Sequence, residues 1–307
     1  MTAYTPPEAR GAYSPDLLTD PGWCAEPKYN GHRATLRIRS DGRARMQTRT
    51  GREIIDRLPQ FSGRYADLTD SIIDGELIAA NGEHSGDVSR VVGSKPDRAI
   101  RLQSSGCWLR FMAFGLPRLH GADRLDLPER IYRAELVTLF GCELAGHPWV
   151  QLAPRAETTA DKLDLERVEI DHREGIMLKR LDSPPGGGGW VKRKRRASFD
   201  CVVLGVNPAT PGTLWADAGL IGSLRLGQWA RAEHLLPARV LHVGDCSGFD
   251  MATRRAISAD PDGYLDRVVE IVGQDRTPGG KILHPRFVRW RDDKPATGCV
   301  IEGGESC

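Results

Sequence analysis

Lysine is scarce in this chain: eight lysines stand against 35 arginines among 307 residues, so each lysine invites a reason. No apolar run approaches the ~20 residues that span a bilayer, which argues against a helical membrane anchor. The first eight residues, Met1 to Glu8, carry neither a charged n-region nor an apolar h-region, so no export signal is expected. Cys-x-x-Cys pairs are absent as well. The seven cysteines, at 24, 107, 142, 201, 246, 299 and 307, are scattered and lack histidines at zinc-finger spacing. That pattern speaks against a structural zinc site and for reduced thiols in a cytoplasmic protein. His84, His234 and His284 show no metal-ligand spacing either and read as ordinary residues. No internal repeat is visible, and a net charge of +2 is too small to name a partner.

What is present describes a globular chain, 40% apolar and 27% charged, long enough for one large domain or two ordinary ones. Residues 34–50 read as a β-hairpin, because Leu36 and Ile38 alternate with arginines, Asp41-Gly42 is a turn signal, and Ala44, Met46 and Thr48 resume the alternation. Ile72–Ile78, Trp108–Phe114 and Gly175–Leu181 read as strands; Pro128–Gly141 and Ala160–His172 read as helices. Pro184 to Gly189 is expected to be a flexible loop. Beyond it, strands are expected near 199–206, 221–228, 238–244 and 267–272, with a short helix near 250–257 capped by Asp250. The spacing predicts an α+β chain with a mixed-sheet domain over 1–198 and a small, partly open barrel of OB type over 199–307.

Five of the eight lysines fall in segments suited to handling a nucleoside triphosphate. Lys28 lies in Glu26-Pro27-Lys28-Tyr29-Asn30-Gly31-His32-Arg33. Arginine cannot replace an attacking lysine, since its guanidinium does not deprotonate in proteins. A lysine needs desolvation or nearby cations before it can attack. Lys192 and Lys194 alternate on an extended segment, point to one face, and could supply that field or hold phosphates. Glu76 and Glu174 could hold Mg²⁺ beside those phosphates. Each piece also has a plain reading. Lys-x-x-Gly is usually a surface loop, Asp-Gly-Glu can close a turn, Phe111 can be core, and Lys192 to Arg196 can be a solvated basic face.

Taken in order, however, the segments resemble the motifs of the ATP-dependent DNA ligases, in the covalent nucleotidyltransferase superfamily that also holds RNA ligases and mRNA capping enzymes. Glu26 to Arg33 is similar to the first motif, Lys-x-Asp-Gly-x-Arg. Thr48-Arg49-Thr50-Gly51, Asp74-Gly75-Glu76, Phe111, Glu174 to Lys179 and Trp190 to Lys194 follow in family order. His284 to Lys294 resembles the ligase form of the last motif, Arg-x-Asp-Lys, and the likeness runs from about 14 to 300.

The resemblance implies an adenylation (nucleotidyltransferase) domain followed by an OB-fold, and it implies roles. Lys28 would carry AMP. Glu26 would read the adenine amino edge and Phe111 would stack on the ring. Arg33 and Arg49 would contact ribose and the 5′-phosphate of a nick, and Glu76 and Glu174 would touch ribose or metal. Lys179, Lys192 and Lys194 would grip the α-phosphate, while Arg291 and Lys294 would orient the leaving pyrophosphate. ATP, Mg²⁺ (or Mn²⁺) and nicked duplex DNA are the implied ligands, and a monomer is expected. Only about 27 residues precede Lys28, too few for the helical DNA-binding domain of larger ligases, so help from a repair or replication partner is expected. Two positions depart from the pattern. Asn30 replaces the acid of the first motif, and Met112 stands where an acid usually follows the stacking aromatic. A lost electrostatic partner costs a factor of about 10²–10⁴ in rate. The alternatives are therefore an RNA ligase or capping-type enzyme, or a catalytically impaired module that binds nucleotide or DNA ends.

Overall fold

The computed structural model describes residues 4–80, 85–230, 239–274, 276, 277 and 279–301. His84, His234, Cys307 and the first residue of the strand expected at 238–244 lie outside the described residues. The chain forms two compact units, Met1–Lys194 and Arg195–Cys307. No helix among the described residues is long and apolar enough to cross a membrane.

The first unit holds two sheets. One has four strands in the order β1 (Ala9–Gly11), β10 (Gly187–Lys194), β9 (Gly175–Arg180) and β2 (Trp23–Pro27). The other runs β4 (Ala44–Thr48), β3 (His32–Ile38), β5 (Ser71–Ala79), β6 (Leu109–Leu119) and β7 (Ala122–Asp123), with β8 (Val150–Leu152) parallel to β6. Helices α1 (Ser85–Gly93), α2 (Pro96–Ser104), α3 (Glu129–Gly141) and α4 (Thr159–His172) complete the unit. The β3–β4 hairpin has Leu36 opposite Met46 and turns at Asp41-Gly42, where Gly42 takes φ 76.

Period-two alternation gives each sheet one apolar and one polar face. Ala34, Leu36, Ile73, Leu77, Leu109 and Phe111 pack into a core with Val88, Val91, Tyr132 and Leu136. Trp23, Ala25, Ile176, Leu178 and Val191 form a separate core, against which Leu165 of α4 packs. The residues between these, on the opposite faces, are the charged ones discussed below.

The glycine run is not a free loop. Gly187 to Gly189 open β10, Gly187 pairs in parallel with Ala9, and its N–H donates to the Glu8 carbonyl at 2.9 Å. Gly186 and Gly187 make the turn with φ of 92 and 55, which other residues adopt poorly.

The second unit contains β11 (Ala197–Pro208), α5 (Leu214–Asp217), β12 (Ile221–Trp229), β13 (Val240–Cys246), α6 (Met251–Ala259), β14 (Val268–Gly273) and β15 (Arg286–Trp290). The sheet order is β13-β12-β11-β14-β15. Long β11 serves both sides, pairing with β14 through Ala197–Val202 and with β12 through Val202–Pro208. A bridge from Ser247 to Arg286 returns β15 to the end of β13 and partly closes the barrel. Asp250 caps α6, its Oδ1 accepting the Thr253 N–H at 2.8 Å. Five strands in this cyclic order, with a helix between the third and fourth, make an OB-type barrel.

Gly75 on β5 has no room for a side chain. A Cβ there would stand 2.5 Å from the Met112 carbonyl oxygen and 2.6 Å from the Phe111 ring. Gly75→Ala is therefore expected to lower stability by about 1–3 kcal/mol, an overpacking cost. Chemical denaturation checks this, and an unchanged midpoint contradicts the packing described.

Candidate active site

A cavity of about 250 Å³ opens between the polar faces of the two sheets of the first unit. Glu26 and Lys28 reach it from β2 and the turn that follows, Met177 and Lys179 from β9, and Trp190, Lys192 and Lys194 from β10. Arg33, Glu76 and Phe114 reach it from β3, β5 and β6, and Arg49 from the loop after β4. Pro7, Glu8 and Ala9 run along its edge. Every second residue on a strand contributes, which is why the lining is polar while the backs of the same strands are core.

At one end stands Lys28. Its backbone N–H donates to the Gly175 carbonyl at 2.8 Å, and its Nζ contacts Glu174 Oε1. Lys194 Nζ lies 4.0 Å from the same oxygen. Gly175 takes φ 124, and a Cβ there would collide with the Arg193 carbonyl, so only glycine lets Glu174 sit against Lys28.

Glu76 also faces this end. Burial pushes its carboxyl up to about 8; Lys28 and Arg33 offset part of the rise, while Glu174 and Asp74 add to it. Among the described residues no group of three or more acidic, histidine or cysteine side chains could hold a metal. Glu76, which lines the cavity, and Glu174, which stands against Lys28 beside it, nonetheless fit a Mg²⁺ that takes its remaining ligands from water and phosphate.

The other end is a buried charge network. Lys179 Nζ lies 2.6 Å from Glu26 Oε2 and donates to the Phe114 carbonyl at 3.3 Å. Arg155 donates to Glu26 Oε1 through Nε at 3.1 Å and Nη2 at 3.0 Å, and Nη2 also contacts Glu129. Arg133 Nη1 stands 3.7 Å from Glu26 Oε1. Burial alone would raise the Glu26 carboxyl, but Lys179, Arg155 and Arg133 together hold it below the usual carboxylate range. Glu129 goes the other way: burial and the Glu26 charge raise it despite Lys179 and Arg155.

Phe114 and Trp190 flank the middle. Lys179 Nζ sits 5.1 and 4.9 Å from their ring centroids and the Arg33 guanidinium 5.3 and 5.5 Å. Arg33 forks onto Asp74 at 2.6 and 3.2 Å and donates to the Pro7 carbonyl at 2.7 Å. Arg49 pairs with Glu8 at the exposed rim.

Several expectations need correction. Phe111 does not face the cavity. It is fully buried in the core, edge-on to Phe61 at 6.5 Å. The aromatic that β6 sends into the cavity is Phe114, an odd number of residues further on and therefore on the opposite face. The pairing of β5 with β6 steps from Gly75–Ala113 to Asp74–Gly115, which leaves Phe114 as the extra residue of a β-bulge. The residue after the cavity aromatic is thus Gly115 rather than Met112. Asn30 is exposed and does not line the cavity.

Lys179 is not beside Lys28. It lies four residues along β9 from Gly175, about 13 Å at strand rise, and is tied to Glu26. Arg291 and Lys294 belong to the second unit, where both pair with Asp200: Arg291 Nη1 at 3.0 Å and Lys294 Nζ at 2.8 Å. Sequence reading missed Phe114, Trp190, Asp74, Arg155, Glu129 and Asp200. Strand parity pointed to Phe114; nothing local marked Arg155 or Glu129.

Comparisons with known proteins show the family. A family profile described as ATP dependent DNA ligase domain matches residues 15–194, the stretch that carries Lys28 through Lys194. The chain belongs to the ATP-dependent DNA ligase family. A probable DNA ligase of Streptomyces avermitilis is 32% identical over 92% of this chain and 58% of its own length. The multifunctional non-homologous end joining protein LigD of Pseudomonas aeruginosa is 26% identical over 89% of this chain and 34% of its own length. The chain thus spans just over half the length of the first of these relatives and about a third of the second. Among solved structures, a Lig E DNA ligase shares the fold at TM-score 0.66 and 21% identity, covering 94% of this chain and all of that one. The ligase domain of M. tuberculosis LigD does so at TM-score 0.51 and 22% identity, covering 97% of this chain and 98% of that one.

Glu76 gives this ligase-family cavity a pH signature. A carboxyl raised in the folded state keeps a proton that the unfolded chain releases, so stability without ligand falls as pH rises from about 4.5 to about 8. Glu76→Gln removes that term. Thermal unfolding across this range should show the variant gaining on wild type as pH rises; parallel curves contradict the assignment.

Proposed function

We propose that this chain is a DNA ligase that uses ATP, forms AMP-Lys28, and seals 5′-phosphate/3′-hydroxyl nicks in duplex DNA. The observation that carries the reading is the two-ended cavity: a lysine among carboxylate and lysines at one end, a buried carboxylate–lysine pair beside two aromatic rings at the other. Such a site suits a molecule with phosphates at one end and a flat, polar-edged ring at the other.

In this reading Lys28 Nζ attacks the α-phosphorus, a P–N bond forms, and the P–O bond to pyrophosphate breaks. Glu174, already in contact with Nζ, is placed to take the departing proton. Lys192 and Lys194 bear on the α-phosphate from β10. Phe114, in place of Phe111, stacks on the base, with Trp190 opposite, and Arg33 is steered toward the ribose by Asp74. Glu76 and Glu174 would hold Mg²⁺, which when bound supplies positive charge against the triphosphate. The nick's 5′-phosphate then takes AMP from Lys28, with Arg49 at the rim as its contact, and the 3′-hydroxyl displaces AMP. Arg291 and Lys294, held by Asp200 in the second unit, are assigned to the pyrophosphate. The exposed arginines Arg196, Arg286 and Arg289 suit DNA phosphates.

Nicked DNA and nicked RNA duplexes offered with ATP and Mg²⁺ separate the ligase reading from an RNA-joining one. Sealing is expected on DNA, with Lys28→Ala inactive; joining of RNA alone, or sealing by Lys28→Ala, contradicts the proposal. Binding to nicked DNA should weaken by about 10-fold or more between roughly 50 and 200 mM salt, and a flat response argues against the basic surface. Because Asn30 is exposed and outside the cavity, Asn30→Asp should change the rate of AMP attachment by less than about tenfold. A gain of about 10² or more would show that the missing charge matters.

A further inference from the structure

We infer that Arg155 is the positioning residue that sets which base the cavity takes, and that it acts by holding Glu26. This rests on the nucleotide reading above and extends it to a residue outside every motif. Arg155 lies beyond β8, next to the bridge between Ala156 and Ala25, with its side chain 5% exposed and no place in the cavity lining. It can reach a bound nucleotide only through Glu26.

Hydrogen-bond counting shows what this achieves. An ionised carboxylate offers about four lone-pair sites. On Glu26, Arg155 fills both sites of Oε1 with Nε and Nη2, and Lys179 fills one site of Oε2. One acceptor site is left, on Oε2. Of the three Lys179 N–H groups, one goes to Glu26 and one to the Phe114 carbonyl; the third faces Glu129 Oε1 at 3.5 Å, a long contact to an oxygen already held by Arg155, and is the donor that a base can draw away. The pair therefore presents one acceptor beside one donor. Adenine offers an amino donor next to a ring-nitrogen acceptor, which matches. Guanine offers a carbonyl acceptor next to an N–H donor, which opposes at both positions.

The match holds only while Glu26 keeps its orientation and its charge. Its terminal torsion is soft, and among the described residues Arg155 alone grips Oε1 at hydrogen-bond distance, Arg133 standing at 3.7 Å. Without Arg155, Glu26 and Glu129 share Lys179 and Arg133. Two carboxylates so close favour uptake of a proton by one of them, and a protonated carboxyl can donate to the guanine carbonyl. Lysine at this position keeps the charge but not the fork.

The test is covalent labelling of the purified chain by α-labelled ATP and GTP, read as the ratio of kcat/KM for the two nucleotides. Wild type, Arg155→Met and Arg155→Lys are compared, with thermal unfolding to show that each is folded. The ATP-over-GTP ratio is expected to fall by about tenfold or more in both variants, through KM for ATP and gained labelling by GTP. If Arg155→Met does not fold, Arg155→Lys carries the test. Equal losses with both nucleotides, leaving the ratio unchanged, overturn the inference and reduce Arg155 to a scaffold residue. Absence of any label from ATP on folded wild type instead overturns the nucleotide reading beneath it.

Discussion

The pairing of Glu26 with Lys179, at 2.6 Å and almost fully out of solvent, governs the cavity of the first unit. Burying a lone carboxylate or ammonium costs several kcal/mol, a cost that this pair and the arginines around it offset. Glu26 belongs to β2 and Lys179 to β9, and their attraction adds to the ladder that joins these strands. Arg155 and Arg133 bring the segment after β8 and helix α3 onto the same carboxylate. Lys28 follows two residues later, its backbone fixed by Gly175. The position of the proposed nucleophile is thus a consequence of how Glu26 is held.

A second constraint is the division of labour within each strand. Two sheets that each bury one apolar face behind them are left with polar faces toward one another, and charged groups there need partners. They find them across neighbouring strands and from the segments packed beside them: Arg33 with Asp74, Lys28 with Glu174, Glu26 with three cations. The raised carboxyl of Glu76 marks the place where protein partners run short.

Much of this was legible in the sequence. The hairpin at 34–50, the strands around Asp74-Gly75-Glu76 and Gly175–Leu178, the Asp250 cap and the positions of four barrel strands follow from alternation and turn chemistry, whereas β15, among the arginines of 286–290, does not. The common face of Lys192 and Lys194 follows from alternation too. The failures have physical reasons. Phe111 was preferred over Phe114 although the two lie on opposite faces of one strand, and the intervening bulge is set by β5, not by β6 itself. The glycine run near 187 looks free in the sequence because glycine lacks intrinsic strand preference, yet the neighbouring β1 gives it a partner. Arg155, Glu129 and Asp200 were invisible because their significance comes from a distant partner: Glu26 is 129 residues from Arg155, and Arg291 is 91 from Asp200.

The central claim is that Lys28 becomes covalently attached to AMP. Its most direct test is incubation of the purified chain with α-labelled ATP and Mg²⁺, followed by a denaturing gel and mass mapping of the labelled peptide, with Lys28→Ala alongside. The account predicts label on the wild-type chain, mapped to Lys28, and none on the variant. A folded wild-type chain, free of bound AMP, that takes no label, or label mapped to another lysine, would contradict it.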